Sequence, residues 1–470
     1  MRTLAIEIND SGLVVAAEDE VLAVEPGYAL AERGELVTGA AAYGQARLKP
    51  RQVSNRFWMN LSLEPGSSGL DGPANAAEVA FAQLSSLWKR FERDADGVVF
   101  VVPGHYRREQ LGLLLGLAEE CGIDVRALVD AAVAASARPY PGRQLVYVDA
   151  GLHRVSVTPL RQHEEAVAEP EHGLDATGLS SATDLLARWI ADAFVAATRF
   201  DPFHDAESEQ ALYDRLPGWL RALQQQDEAE LTLEHRGEEF SVSVERSQLH
   251  GVVAGFNRAV VQLIAQARSP EQALVVQLSE RLVEVPGLGT ALTRLDDAHV
   301  VRLPEGHAAR AALRRLAESA AGGPVRLLKH LPFSEPPEEE LAAAAGAFAA
   351  AEADAAGPAG AQDEPPPTHV VYRGIAYPVD GEGLAVGRVR VDGRRMIVVD
   401  DRHGGLSRLH CEIVFRDGEL RLRDTSRYGT FVNEKRLAGG ETVLHAADVI
   451  RIGSPGAELH VIRVDGGHGA

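Results

Sequence analysis

The chain has 470 residues, 45% of them hydrophobic and 24% charged, with a formal charge of −21 at pH 7. That length allows two or three domains with their own cores. The acidic balance excludes a general nucleic-acid binder, which needs a basic surface to displace phosphate counterions. No apolar run reaches transmembrane length, and an acidic residue stands too early for a signal peptide, so no membrane insertion and a cytoplasmic location are expected. Cys121 and Cys411 are far apart, which excludes a disulfide framework or a local metal site; each is expected to be a small core residue.

In chain order, LAIEINDSGLVVA opens with a short polar loop between apolar runs, in the manner of a tight hairpin. VVFVVPGH reads as a buried strand entering a loop, and REQLGLLLGLAEECGI follows with helical apolar spacing. ALVDAAVAASA is a second strand-to-helix passage, and QLVYVDAGLHRVSVTPL reads as two strands around a turn. TDLLARWIADAFVAAT is an amphipathic helix. ELTLEHRGEEFSVSVERSQL is a hairpin running into a helix, and QALVVQLSERLVEVPGLGTAL gives strand, loop and helix. This alternation predicts an α/β body over residues 1–332.

Residues 333–368 carry eight acidic residues, no Lys or Arg, and prolines at both ends. They read as a flexible tether with an Ala-rich centre capable of a marginal helix. From 369 to 465 the segments RMIVVDD, HCEIVFRDGELRLRD, YGTFVN, DVIRIG and AELHVIRV are short, β-rich and separated by turns. An all-β sandwich is the natural expectation.

Residues 98–136 resemble the Hsp70 ATPase domain, of the actin-like ATPase superfamily. The resemblance continues through VTGAAAYGQARLKPRQVSNRFW, VVQLSERLVEVPGL and LPEGHAARAAL and covers most of 1–332 in order. It implies a two-lobed α/β body holding ATP or ADP with Mg²⁺ between lobes, on two β-hairpins whose glycines admit close phosphate approach. Nothing in the chain resembles the Hsp70 peptide-binding domain.

Against that pattern the nucleotide loops depart. The first hairpin has Glu7 and Asn9 at the family's Asp and Gly positions, followed by Asp10 and Ser11. The second keeps Asp149 and Gly151 but has His153 and Arg154 at the Gly-Thr positions. Near the third loop's usual Gly-Gly stand Leu278 and Ser279. Glu7 and Asp149 are the only candidates for catalysis through Mg²⁺, weighed against plain turn residues, as is Asp10. Arg154 either meets a phosphate or fills its space, and His153 is expected to be an exposed turn histidine, not a base. Three altered loops imply that hydrolysis is lost or very weak. Nucleotide binding stays open, and no cofactor is required.

The stretch AVGRVRVDGRRMIVVDDRHGGLSRLHCEIVFRDGELRLRDTSRYGTFVNEKRL resembles a forkhead-associated (FHA) domain, with the order Gly-Arg, Ser-x-x-His, Gly-Thr-x-x-Asn. Between Gly387 and Arg427 ten Arg stand against seven Asp or Glu, a cationic stretch in an acidic chain. An arginine fork suits a phosphate dianion. The resemblance implies a β-sandwich that reads phosphothreonine, with Arg388 and Ser407 on the phosphate and Arg408 beside them. His410 fixes the recognition loop, Gly387, Gly429 and Thr430 shape turns, and Asn433 secures a loop. Arg427 and Tyr428 stand where the family often has Thr and Asn, which leaves peptide selectivity open.

Together these readings imply an adaptor or scaffold that binds a Thr-phosphorylated protein under the control of a Ser/Thr kinase and a phosphatase. Self-association through a phosphothreonine of a second copy fits as well. The alternatives are an ATPase targeted by its FHA domain and a structural interaction protein dependent on neither nucleotide nor phosphate.

Overall fold

The computed structural model describes residues 2–269, 272–293, 295, 297–317, 325–334, 368–372, 375–381, 383–390, 394–399, 406–416, 419–426, 429–432, 435–437, 440–444, 448–452 and 457–462. Its contacts separate a unit Met1–Gly357 from a unit Pro358–Ala470. Most of the expected tether lies outside the described residues. Phe333 and Ser334 still belong to the first unit: Phe333 packs on its core and the Ser334 N–H donates to Ala137 O at 2.9 Å.

Two sheets of one plan build the first unit. In the first, Arg2–Glu7 pairs antiparallel with Leu13–Ala16, which pairs antiparallel with Val21–Glu25. On its other side Arg2–Glu7 pairs parallel with Ala95–Val102, which pairs parallel with Val125–Asp130. The second sheet repeats this. Gln144–Ala150 turns antiparallel into Arg154–Gln162, which pairs antiparallel with Glu165–Ala168 and His172–Asp175. On the far side Gln144–Ala150 runs parallel to Leu274–Leu278, and that strand parallel to Ala298–Arg302. The central strands are buried almost throughout, as parallel strands covered on both faces must be.

Helices cover both faces of each sheet. Ala76–Trp88 and Arg108–Glu120 pack outside the first sheet; Leu179–Thr198, Ala206–Gln225 and Ala254–Ala267 pack outside the second. Caps start several of them: the Asn75 side chain accepts the Glu78 N–H, and Asp205 accepts those of Glu207 and Ser208. Between the sheets lies a third core of small residues, Ala131–Ala135 and one face of His307–Ala317. The guanidinium of Arg315 is sealed inside it and donates to the carbonyls of Val133, Ala134, Leu331 and Pro332. It thereby supplies donors inside the core to carbonyls of the short helix Ala131–Ala135 and of an edge strand.

The second unit, among its described residues, contains strands and no helix. One sheet has five strands, in the order Met396–Val398, Leu384–Gly387, Cys411–Arg416, Glu419–Asp424 and Glu441–Leu444. The other has six: Ile375–Pro378, His369–Tyr372, Ala457–Ile462, Val449–Ile452, Thr430–Val432 and Lys435–Leu437. Alternate residues such as Ile413, Leu420, Leu422, Ile450 and Leu459 point inward and form a single core, which makes this a β-sandwich. Cys411 belongs to that core, but Cys121 is only half-buried, at the end of Arg108–Glu120, contrary to the expectation of a core position. Among the described residues no helix is long and apolar enough to cross a membrane.

Candidate functional site

The C-terminal site is assembled by loops at one end of the sandwich. Leu384–Gly387 and Cys411–Arg416 are antiparallel, so the loop leaving the first and the loop entering the second emerge together. Arg388 lies in one and Ser407 in the other, and the Arg388 N–H donates to Ser407 O at 3.2 Å. Arg388 and Arg408 are exposed, while Ser407 is half-buried. Gly387 is required by close passage: a Cβ there would lie 2.2 Å from Arg408 O, a backbone atom with no room to yield.

His410 is wholly buried behind these loops. Its Nδ1 accepts the Ser407 N–H at 3.2 Å, so the proton sits on Nε2, which faces Gly429 O at 3.3 Å. One imidazole thus ties the serine loop to the loop after Glu419–Asp424. That second loop is braced by Asp424, whose Oδ1 accepts from the Ser426 N–H and from the buried Thr430 hydroxyl at 2.8 Å. Gly429 takes a φ of +92°, a conformation that favours glycine. Arg427, Tyr428 and Asn433 lie outside the described residues.

The N-terminal loops also converge, with a different result. Glu7 ends its strand buried, and Asp149 lies buried near the end of the matching strand in the second sheet. The Arg281 guanidinium reaches both: Nη2 donates to Glu7 Oε1 at 2.7 Å and Nη1 to Asp149 Oδ1 at 3.3 Å. Burial disfavours its charge, but Glu7 and Asp149 outweigh that and hold its pKa above the ordinary arginine value. Asn9 crosses the same gap, its Nδ2 donating to Asp149 Oδ2 at 3.1 Å and to Ala150 O at 3.3 Å. Its Oδ1 meanwhile accepts from the Ser11 N–H and hydroxyl.

Asp10 is buried with its Oδ1 accepting the Leu152 N–H at 2.7 Å. Burial pushes its carboxyl up to about 6, against the pull of that N–H and of His105. A Cβ on Gly151 would lie 2.1 Å from the same oxygen, so glycine here admits another side chain. What remains beside the hairpins is a cavity of about 40 Å³, bordered by Asp10, His105, Tyr106 and Arg154. It has room for a few waters.

His153 is buried, not exposed as the sequence suggested, and faces Asn55 Oδ1 at 2.9 Å. Burial and the neighbouring Arg56 lower its pKa to about 4, so it is neutral and donates. Arg154 pairs with Glu171 at 3.0 Å and with Asp175, both outside the hairpin. Farther out, Arg47 of the first half lies 3.6 Å over the Tyr213 ring and 3.0 Å from Asp184 in the second half. Neither Arg281 nor Arg47 stands out in the sequence. Each is an ordinary arginine whose partners come together only when the two sheets do.

A family model for the FHA domain matches residues 385–453. No curated protein matches the chain. The second unit therefore contains an FHA domain, and its β-sandwich is the architecture expected of one.

Proposed function

We propose that the chain is a phosphothreonine-dependent adaptor whose C-terminal end, residues 369–465, recruits a Thr-phosphorylated protein. The observation that carries this reading is the junction of two loops through the Arg388 N–H and Ser407 carbonyl. It sets a guanidinium fork and a hydroxyl at neighbouring loop ends, with Arg408 beside them. A phosphate dianion bound there gains charge-assisted hydrogen bonds that an unphosphorylated threonine cannot offer. His410 holds the geometry from behind and does no proton chemistry. Arg427 and Tyr428 are assigned to the peptide flanking the phosphate, and Asn433 to securing the loop. Docking of this kind is switched by a Ser/Thr kinase and reversed by a phosphatase.

Residues 1–332 serve in this reading as an actin-like partner module that has lost ATPase chemistry. The duplicated sheet plan supports the actin-like assignment, and the carboxylates Glu7 and Asp149, engaged by Arg281 and Asn9, support the loss. Residues 333–368 act as the tether. An affinity pull-down from cell extract, with and without phosphatase treatment, tests the reading against an Arg388→Ala variant. A partner captured by the wild type and lost in both controls is the expected result. Capture that ignores phosphatase and variant alike overturns it.

A further inference from the structure

An actin-like body is expected to organise Mg²⁺ and the nucleotide's phosphates between its hairpins, and the residues present do not fit that cargo. Mg²⁺ demands a near-octahedral shell of oxygens at about 2.1 Å. Four of the carboxylate oxygens that would belong to such a shell are already engaged. Glu7 Oε1 and Asp149 Oδ1 face Arg281, and Asp149 Oδ2 faces the Asn9 amide. Asp10 Oδ1 is held by the Leu152 N–H. Asn9 turns a donor to this centre while its oxygen serves Ser11. Among the described residues no group of three His, Cys, Asp or Glu side chains is set to hold a metal.

We propose that Arg281 is a tethered cation standing in place of a divalent metal between Glu7 and Asp149, so that the two halves of the N-terminal body clasp each other without a ligand. A guanidinium can do this because its planar fork reaches two carboxylates at once, and unlike a metal it never dissociates. The clasp continues outward. Asn9 to Ala150, Asp10 to Leu152, His153 to Asn55, and Arg47 to Asp184 and Tyr213 all join one half to the other. The body is thereby a fixed platform, and the phosphate switch of the whole chain resides in the FHA domain. The ion triad itself stands on these distances; only its comparison with a metal rests on the actin-like reading.

The test is built into the sequence: all four tryptophans, Trp58, Trp88, Trp189 and Trp219, lie in the N-terminal body. Tryptophan fluorescence of the full chain therefore reports melting of that body alone. The wild type is expected to show the same melting temperature with and without MnCl₂ or Mg-ATP. Arg281→Ala leaves two buried carboxylates facing each other, and its melting temperature should fall by about 5 °C or more. Millimolar MnCl₂ should restore most of the loss. Should that variant fail to fold, Glu7→Gln/Asp149→Asn takes its place and is expected to melt lower with no response to MnCl₂. A wild type stabilised by MnCl₂ or Mg-ATP overturns the proposal. So does an Arg281→Ala variant that melts unchanged or is not rescued, or a Glu7→Gln/Asp149→Asn variant that melts as the wild type does. No phosphopeptide is present, so any of these results leaves the phosphothreonine reading to its own experiment.

Discussion

Asp10 shows how a carboxylate can be retained at a cost when its place is inside a junction. Its pKa is pushed up to about 6 chiefly by burial, with His105, Asp149 and Arg281 the ionisable groups that face it. Because the folded value exceeds the ordinary 3.8, the folded state binds a proton that the unfolded state releases between those two pH values. Stability from this group is present at low pH and is lost as pH rises through about 6. Asp10→Asn keeps an acceptor for the Leu152 N–H and removes the ionisation. Urea unfolding should find it more stable than the wild type at pH 7.5 by up to ~3 kcal/mol, at 1.36 kcal/mol per pKa unit. That advantage should vanish near pH 4. An equal loss at both pH values would mean that the Asp10 carboxyl matters through its contacts and not through its ionisation.

The loop ends of the sandwich depend on elements passing closer than side chains allow. Gly387→Ala places a methyl group against the Arg408 carbonyl, which is backbone, and also against the tip of the Met396 side chain. The variant is expected to push the 406–410 loop away from Arg388, weakening phosphopeptide binding roughly tenfold while the sandwich core still forms. Titration alongside a thermal melt separates the two effects; unchanged affinity would show that the loops do not need this contact. Elements of this kind are legible in the sequence where the signal is local. The unbroken apolar run VVFVV, the alternation in ELTLEH and EFSVSVE, and the turn between Gln144–Ala150 and Arg154–Gln162 all follow from periodicity. What periodicity cannot supply is pairing at a distance. Arg281 meets Glu7 across 274 positions, and Arg315 meets Val133 across 182. His153 misled for the same reason, since a turn residue looks exposed until Asn55 of the other half covers it.

At the scale of the molecule, the chain consists of two units with separate cores. They are expected to melt as two transitions in calorimetry, only one of them accompanied by tryptophan fluorescence. Anything that binds one folded unit raises the transition of that unit. A phosphothreonine peptide should therefore shift the fluorescence-silent transition and leave the other in place; a single merged transition would argue for one cooperative body. The division also explains how an acidic chain can bind phosphate. The charge of −21 is spread over the whole sequence, while ten arginines gather between Gly387 and Arg427, and screening limits the rest to local influence.

The central claim is that Arg388 and Ser407 form a phosphothreonine site, and one titration tests it most directly. The full-length wild type and Arg388→Ala are titrated with a degenerate peptide library centred on phosphothreonine and with the same library carrying plain threonine. The account predicts binding of the phosphorylated library only. Arg388→Ala should lose about 10- to 100-fold in affinity, as expected for a charge-assisted hydrogen bond worth roughly 1.5–3 kcal/mol. Equal binding of both libraries, or an affinity indifferent to Arg388, would contradict it.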